Sequence, residues 1–210
     1  GELRQEDADY FQAFAIIGKP GTMSMNCPEL PKEFSATDPL SYSRAVRYGR
    51  AMIRRISQYL IKHMPGFEHA YISREAAMLG ARESWRIRGK FYMTEDDYHN
   101  RSRFPDAVAR TAWYIDAHGE RVDEKLPKGE FYEIPYRALI TEEVPNLLVG
   151  GRCISASFIL QASMRIQPTC MSIGEAAGIA AAWGLQHHTE VNALRWEDIP
   201  EEKRSYHTRG

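Results

Sequence analysis

The sequence is short of cysteine, of long apolar runs and of any excess of one charge. It has three cysteines, Cys27, Cys153 and Cys170. Three is odd and too few for a disulfide framework, and no two have the spacing of a metal knuckle or redox pair, so buried inert thiols are expected. No apolar stretch reaches the roughly 18 residues needed to cross a bilayer, so no membrane partner is expected. The first residues, GELRQEDADYFQ, are charged and lack a signal-peptide core. That favours the cytoplasm, with a signal upstream of a fragment left open. Lys plus Arg is 27 and Asp plus Glu is 28, a balance that argues against binding nucleic acid by bulk charge. There is no G-x-G-x-x-G, Walker loop, H-E-x-x-H, C-x-x-C or G-x-S-x-G, and no metal site is expected.

What remains is an ordinary globular composition: 210 residues, 43% apolar and 26% charged, enough for a buried core in one large domain or two small ones. Short apolar runs at 11–17 and 22–26 read as strands, and PELPKEFSATDP reads as a loop. A long helix follows. Thr37 or Asp38 caps it and Pro39 opens it. Tyr42, Ala45, Val46, Gly49, Met52, Ile53, Ile56, Tyr59 and Leu60 line one face, and His63-Met64-Pro65-Gly66 ends it. Arg44, Arg47, Arg54, Arg55 and Lys62 occupy the other face. A solvated surface is the expected role there, with a phosphate or nucleic-acid patch as the rival.

Thr94-Glu95-Asp96-Asp97 reads as a capped short helix, and residues 105–112 as another. WYIDAH at 113–118 and FYEIPYRALI at 131–140 read as strands, with Pro135 at an edge or bulge. The segment between them, 118–130, reads as a polar surface hairpin. NLLVGG at 146–151 reads as a strand covered on both faces, followed by a loop at 152–167 and a helix at 168–185 opened by Pro168. Between Gly174 and Gly184, eight of eleven residues are Ala or Gly, so this helix suits very close packing. From His187 the chain is polar and reads as a surface tail.

The strand, glycine turn and helix of 146–185 have the chemistry of an anion or cofactor site. Gly150-Gly151 offers bare backbone. The amides of Thr169, Cys170 and Met171 are expected to be free at the helix N-terminus, where partial positive charge favours a phosphate or anionic ring. Arg152 and Arg165 flank that space. The same strand–turn–helix unit also serves packing alone, and spacing does not decide between the two.

Six blocks, in order, carry a family resemblance: HMPGFEHAYI, LGARESWRIRGKFYMTEDD, RFPDAVARTAWYIDAHG, EIPYRALI, NLLVGGRCISAS and MRIQPTCMSIGEAAGIAAA. The chain resembles the C-terminal part of FAD-dependent oxidoreductases with a split, glutathione-reductase-like FAD domain. The resemblance implies an α+β fold, with a substrate-side sheet and helices plus the last strand and helix of the split domain. It implies a substrate-side region at 1–135, completion of the FAD domain at 136–186 and a polar tail at 187–210. The fingerprint-bearing N-terminal half would then lie outside this chain and be its partner. The full protein would be an enzyme passing a hydride between a small-molecule substrate and FAD, and the fragment alone would be inactive with weak FAD affinity.

The resemblance also maps roles. Gly150, Gly151 and Arg152 match the turn beside the ribityl and phosphate region. Arg165, Gln167, Pro168 and Thr169 match the stretch whose amides face the flavin pyrimidine edge, with Cys170 close by, and Gly174 and Gly178 would pack under the cofactor. Arg82 and Arg86 are candidates for facing the flavin or an acidic substrate, with an ion pair to Glu83 or Asp97 as the alternative; Trp85-Arg86 stands where the family has two arginines. Asp116 and His118 match an Asp-x-His pattern, with His118 a candidate base or a structural histidine. The rival reading is a non-catalytic interaction domain whose Ala/Gly-rich face is covered in a homodimer.

Overall fold

The computed structural model describes residues 2–117 and 125–206. The chain divides into two compact units, Gly1–Ala81 and Arg82–Gly210. The fold is α+β, combining helices with two two-stranded antiparallel sheets among the described residues. No helix among them is long and apolar enough to cross a membrane.

In the first unit, the helical turn Gln5–Ala8 (α1) precedes a hairpin of Ala13–Ala15 (β1) and Met23–Met25 (β2), with Ala13 opposite Met25. Both strands fall inside the expected runs, and the loop at 28–38 has neither helix nor strand. The long helix is Pro39–His63 (α2). Asp38 caps it by accepting a hydrogen bond from the Ser41 amide at 2.5 Å, which satisfies an otherwise unpaired N-terminal donor. Its buried face is Ala45, Gly49, Met52, Ile56 and Leu60, the three–four spacing expected. Opposite, Arg44, Arg47 and Arg54 are exposed, whereas Lys62 pairs with Glu2 and Arg55 with Asp7. Arg55 holds α1 against α2 with a two-pronged bond, Nε to Oδ2 at 2.8 Å and Nη2 to Oδ1 at 2.7 Å, on a buried Asp7. Those bonds keep the Asp7 carboxyl below its ordinary range against the opposing push of burial.

The second unit corrects several sequence expectations. Residues 105–112 do not form a helix: Ala107–Thr111 (β3) pairs antiparallel with Tyr132–Pro135 (β4). A bulge between Ala107 and Ala109 leaves Ala107, Val108 and Ala109 all buried. That erases the alternation by which a strand is recognised, and pairing with β4 outweighs local propensity. Residues 113–117 are not a strand; the Ser163 hydroxyl donates to the Trp113 carbonyl at 2.6 Å and holds the stretch in place. Pro135 ends β4, where its missing amide costs no ladder bond, and the chain turns into a 3-10 helix at Tyr136–Ala138. The hairpin expected at 118–130 falls largely outside the described residues.

Residues 146–151 are not a doubly covered strand. Only Leu148 bridges, to Ile140, and Leu147 is 36% exposed. Asn146 at φ 58° and Gly151 at φ 74° break the extended run at both ends. The expected loop at 152–167 contains a helix, Phe158–Met164 (α4), capped by the Ser157 hydroxyl accepting from the Leu160 amide at 3.1 Å. The short helix Glu95–His99 (α3) is present, with the Thr94 amide donating to Asp97 Oδ2 at 2.9 Å.

The last helix, Gln167–Gln186 (α5), packs Thr169, Ile173, Ala176, Ala180 and Gly184 inward, against β3 among others. Segment 86–93 runs beside 153–157, tied by Ile87 N to Cys153 O at 2.9 Å and Met93 N to Ser155 O at 3.2 Å. The tail is not a surface wrap. Val191, Leu194, Trp196 and Ile199 are buried; Trp196 stacks on Tyr136 with ring centroids 5.8 Å apart, and the Tyr136 hydroxyl donates to the Val191 carbonyl at 2.7 Å. Its charged residues alternate with core residues, so average polarity concealed the anchor.

Candidate functional site

The turn and helix singled out in the sequence do come together. Gly151–Cys153 forms a 3-10 turn packed on α5. Gly151 sits at φ 74°, a conformation other residues adopt only with strain. At Gly150 a Cβ would lie 3.5 Å from the Gly174 Cα, ordinary contact. A Cβ on Gly151, Gly174 or Gly178 would meet nothing within 4 Å, so a side chain at 174 or 178 of α5 would project into open space. Gly184 is the reverse: its Cβ would lie 2.7 Å from the Thr189 carbonyl oxygen. Arg152, Gln167 and Pro168 are exposed, and Thr169 is buried.

The free amides at the start of α5 differ from those expected. The helix begins one residue earlier, at Gln167, and Cys170 N already donates to Ile166 O at 3.0 Å. Within the helix the amides lacking an intrahelical acceptor are those of Gln167 and Thr169, Pro168 having none; Cys170 and Met171 do not contribute.

Arg82 and Arg165 converge on one carboxylate. Arg82 Nη2 donates to Asp116 Oδ2. Arg165 Nη2 donates to the same oxygen at 3.1 Å and to the Asp116 carbonyl at 2.9 Å. Arg82 therefore pairs with neither Glu83 nor Asp97. Glu83 stands 3.6 Å from Arg165 Nε, and Asp97 caps α3. Arg165 is 10% exposed; burial, with the Arg82 charge beside it, pulls its pKa down, while Glu83 and Asp116 push it back up. Arg86 is not part of this cluster through its Nε, which donates to the Ala156 carbonyl at 3.0 Å. His118 lies outside the described residues.

The three cysteines are free, but Cys153 is exposed and Cys27 and Cys170 are half-buried, so none has the full burial expected. Burial raises the Cys170 thiol pKa, opposed by Arg152 and Arg165. Gln161 was missed by the sequence reading. It is 1% exposed, and its amide nitrogen donates to the carbonyls of Arg82 at 3.3 Å and Arg152 at 3.4 Å. It thereby fastens the arginine segment to the glycine-turn segment; the only signal was a lone amide inside the apolar run FILQASM.

No group of three or more His, Cys, Asp or Glu suited to a metal ion occurs among the described residues. A hollow of about 420 Å³, lined by Leu148, Ala181, Leu185, His188 and Val191 among others, contains none of the candidate residues. A family model described as FAD dependent oxidoreductase matches residues 1–202. Neither the curated proteins nor the solved structures gave a match.

Proposed function

Because the chain belongs to the FAD-dependent oxidoreductase family, we propose that it is the C-terminal portion of a flavoenzyme that moves a hydride between a small-molecule substrate and flavin. The match over residues 1–202 carries this reading. In it, residues 136–186 complete a split FAD domain and 1–135 supply the substrate side. The dinucleotide fingerprint, which the sequence does not contain, comes in this reading from an N-terminal half of the full protein.

The residues present suit the cofactor. Gly151, Gly174 and Gly178 leave open space where side chains would otherwise project, as a flat ring and its phosphate-bearing chain require. Bound FAD supplies the two-electron acceptor or donor. Gly150, Gly151 and Arg152 line the ribityl and phosphate side, and Arg152 adds positive charge. Arg165, Gln167, Pro168, Thr169 and Cys170 line the pyrimidine edge. The amides of Gln167 and Thr169, at the positive end of the α5 dipole, stabilise negative charge there without moving a proton.

Titration of FAD into this chain and into a longer chain carrying upstream residues, followed by flavin absorbance and fluorescence, tests the proposal. Tight binding by the longer chain and weak binding by this one is expected, with Gly151→Val weakening it in the longer chain. No binding by either would overturn it. A second reading, self-association through α5, is favoured by one observation: Met171 at 73% and Leu185 at 80% exposure flank the open glycines on that helix. Light scattering of this chain distinguishes the two, because a dimer formed without FAD and unaffected by it supports the second.

A further inference from the structure

The Arg82–Asp116–Arg165 cluster has the form of a carboxylate receptor filled from within. Its two guanidiniums come from distant segments and share Asp116 Oδ2. Arg165 is nine-tenths buried, yet its Nε is a buried donor without a hydrogen-bond partner; Glu83 is the nearby acid, at 3.6 Å. Buried donors are ordinarily paired, and an arginine presents its N–H groups in a fork matched to two carboxylate oxygens. Asp116 occupies the Nη2 arm of that fork and leaves Nε without a hydrogen bond.

The cluster is also open to solvent on one side. The Asp116 side chain is 27% exposed and Arg82 is 33% exposed, so both lie within reach of solvent. Arg165 stays in place without the Asp116 carboxylate, because its Nη2 also holds the Asp116 backbone carbonyl at 2.9 Å. Gln161 pins the Arg82 carbonyl, fixing the backbone from which that arginine reaches.

We propose that Arg82 and Arg165 bind the carboxylate of an anionic small molecule, which displaces the Asp116 side chain from the two guanidiniums. That this molecule is the oxidoreductase's substrate rests on the flavoprotein reading above; the binding does not. Asp116 acts as an internal competitor that keeps the arginines paired until the ligand arrives.

Succinate is the probe, titrated into this chain without FAD and followed by calorimetry, with sodium chloride holding ionic strength constant. Saturable binding is expected. Arg82→Gln should weaken it about tenfold, the effect of losing one charge-assisted hydrogen bond. Asp116→Asn should bind more tightly than the unaltered chain, because its amide competes less well for the guanidiniums. Circular dichroism checks each variant's fold; if both lose it, Arg82→Lys, which keeps the charge and loses the fork, should weaken binding and decides the matter. No saturable binding by the unaltered chain, unchanged binding by a folded Arg82 variant, weaker binding by folded Asp116→Asn, or tighter binding of inorganic phosphate than of succinate would each overturn the proposal. The FAD titrations read the flavoprotein proposal separately. Succinate binding with no FAD binding by either chain overturns that reading alone, and the reverse pattern overturns this one alone.

Discussion

Gly89 lies where three backbone segments of the second unit meet. A Cβ there would sit 2.7 Å from the Ser155 Cβ and 3.1 Å from the carbonyl oxygens of Arg137 and Ile140. Carbon atoms are at ease from about 3.5 Å, so the added methyl overlaps Ser155 by about 0.8 Å. The neighbours are tied. The Ser155 amide donates to Ala138 O at 2.9 Å and its carbonyl accepts from Met93 N at 3.2 Å. The two oxygens accept from Phe91 N at 3.1 Å and Lys90 N at 2.9 Å. Gly89→Ala must therefore pry apart the ladder that carries the arginine segment. Overpacking combined with loosened backbone bonds gives an expected loss of about 3 kcal/mol, measured by urea unfolding followed by circular dichroism. Ser155→Gly removes the closest clash and an unpartnered buried hydroxyl, so the double variant should recover at least about 1 kcal/mol relative to additivity. A Gly89→Ala loss below about 0.5 kcal/mol, or additivity within that margin, would refute the reasoning.

Two further outcomes follow from packing and charge. Trp196→Ala should cost about 3–5 kcal/mol, seen in thermal unfolding; a loss under about 1 kcal/mol would return the tail to the surface. Asp7, whose folded pKa lies below its ordinary value near 3.8, contributes stability that is complete above that value and lost as pH falls through the folded pKa. The docking of α1 on α2 should therefore weaken in acid and hold at neutral pH, as read by amide hydrogen exchange, and Arg55→Gln should remove that acid-side transition. Persistence of the transition in Arg55→Gln would show that another group carries it.

Features of the fold written in short-range chemistry were legible in the sequence. The helix α2 announces itself by the Asp38 cap, Pro39 and an unbroken apolar face. The start of α5 is marked by Pro168 within one residue, and the glycine turn by the Gly150-Gly151 pair. What escaped depends on residues far apart in the chain. The β3 strand is hidden by its bulge and recognised only by its pairing with β4. At 146–151 the apolar run is real, but the ladder is a single bridge. The α4 helix had its cap in Ser157, with Gln161 and Ser163 making the stretch look like loop. Nearness in sequence favoured Glu83 or Asp97 for Arg82, whereas Asp116 is 34 positions from Arg82 and 49 from Arg165. Only tertiary structure could bring those charges to one point.

The buried anchor at 191–199 also bears on the order of events during synthesis. Domains form as units while the chain emerges from its N-terminal side. Trp196 and Ile199 are made after almost everything they touch in the second unit's core, including Tyr136, whose hydroxyl waits for the Val191 carbonyl 55 positions later. Until that stretch leaves the ribosome, the second unit has β3, β4 and α5 in hand but a core open on one side. A nascent chain halted at the end of α5 would thus carry a second unit still exposing the surface that Trp196 later covers, a species for chaperones to shield.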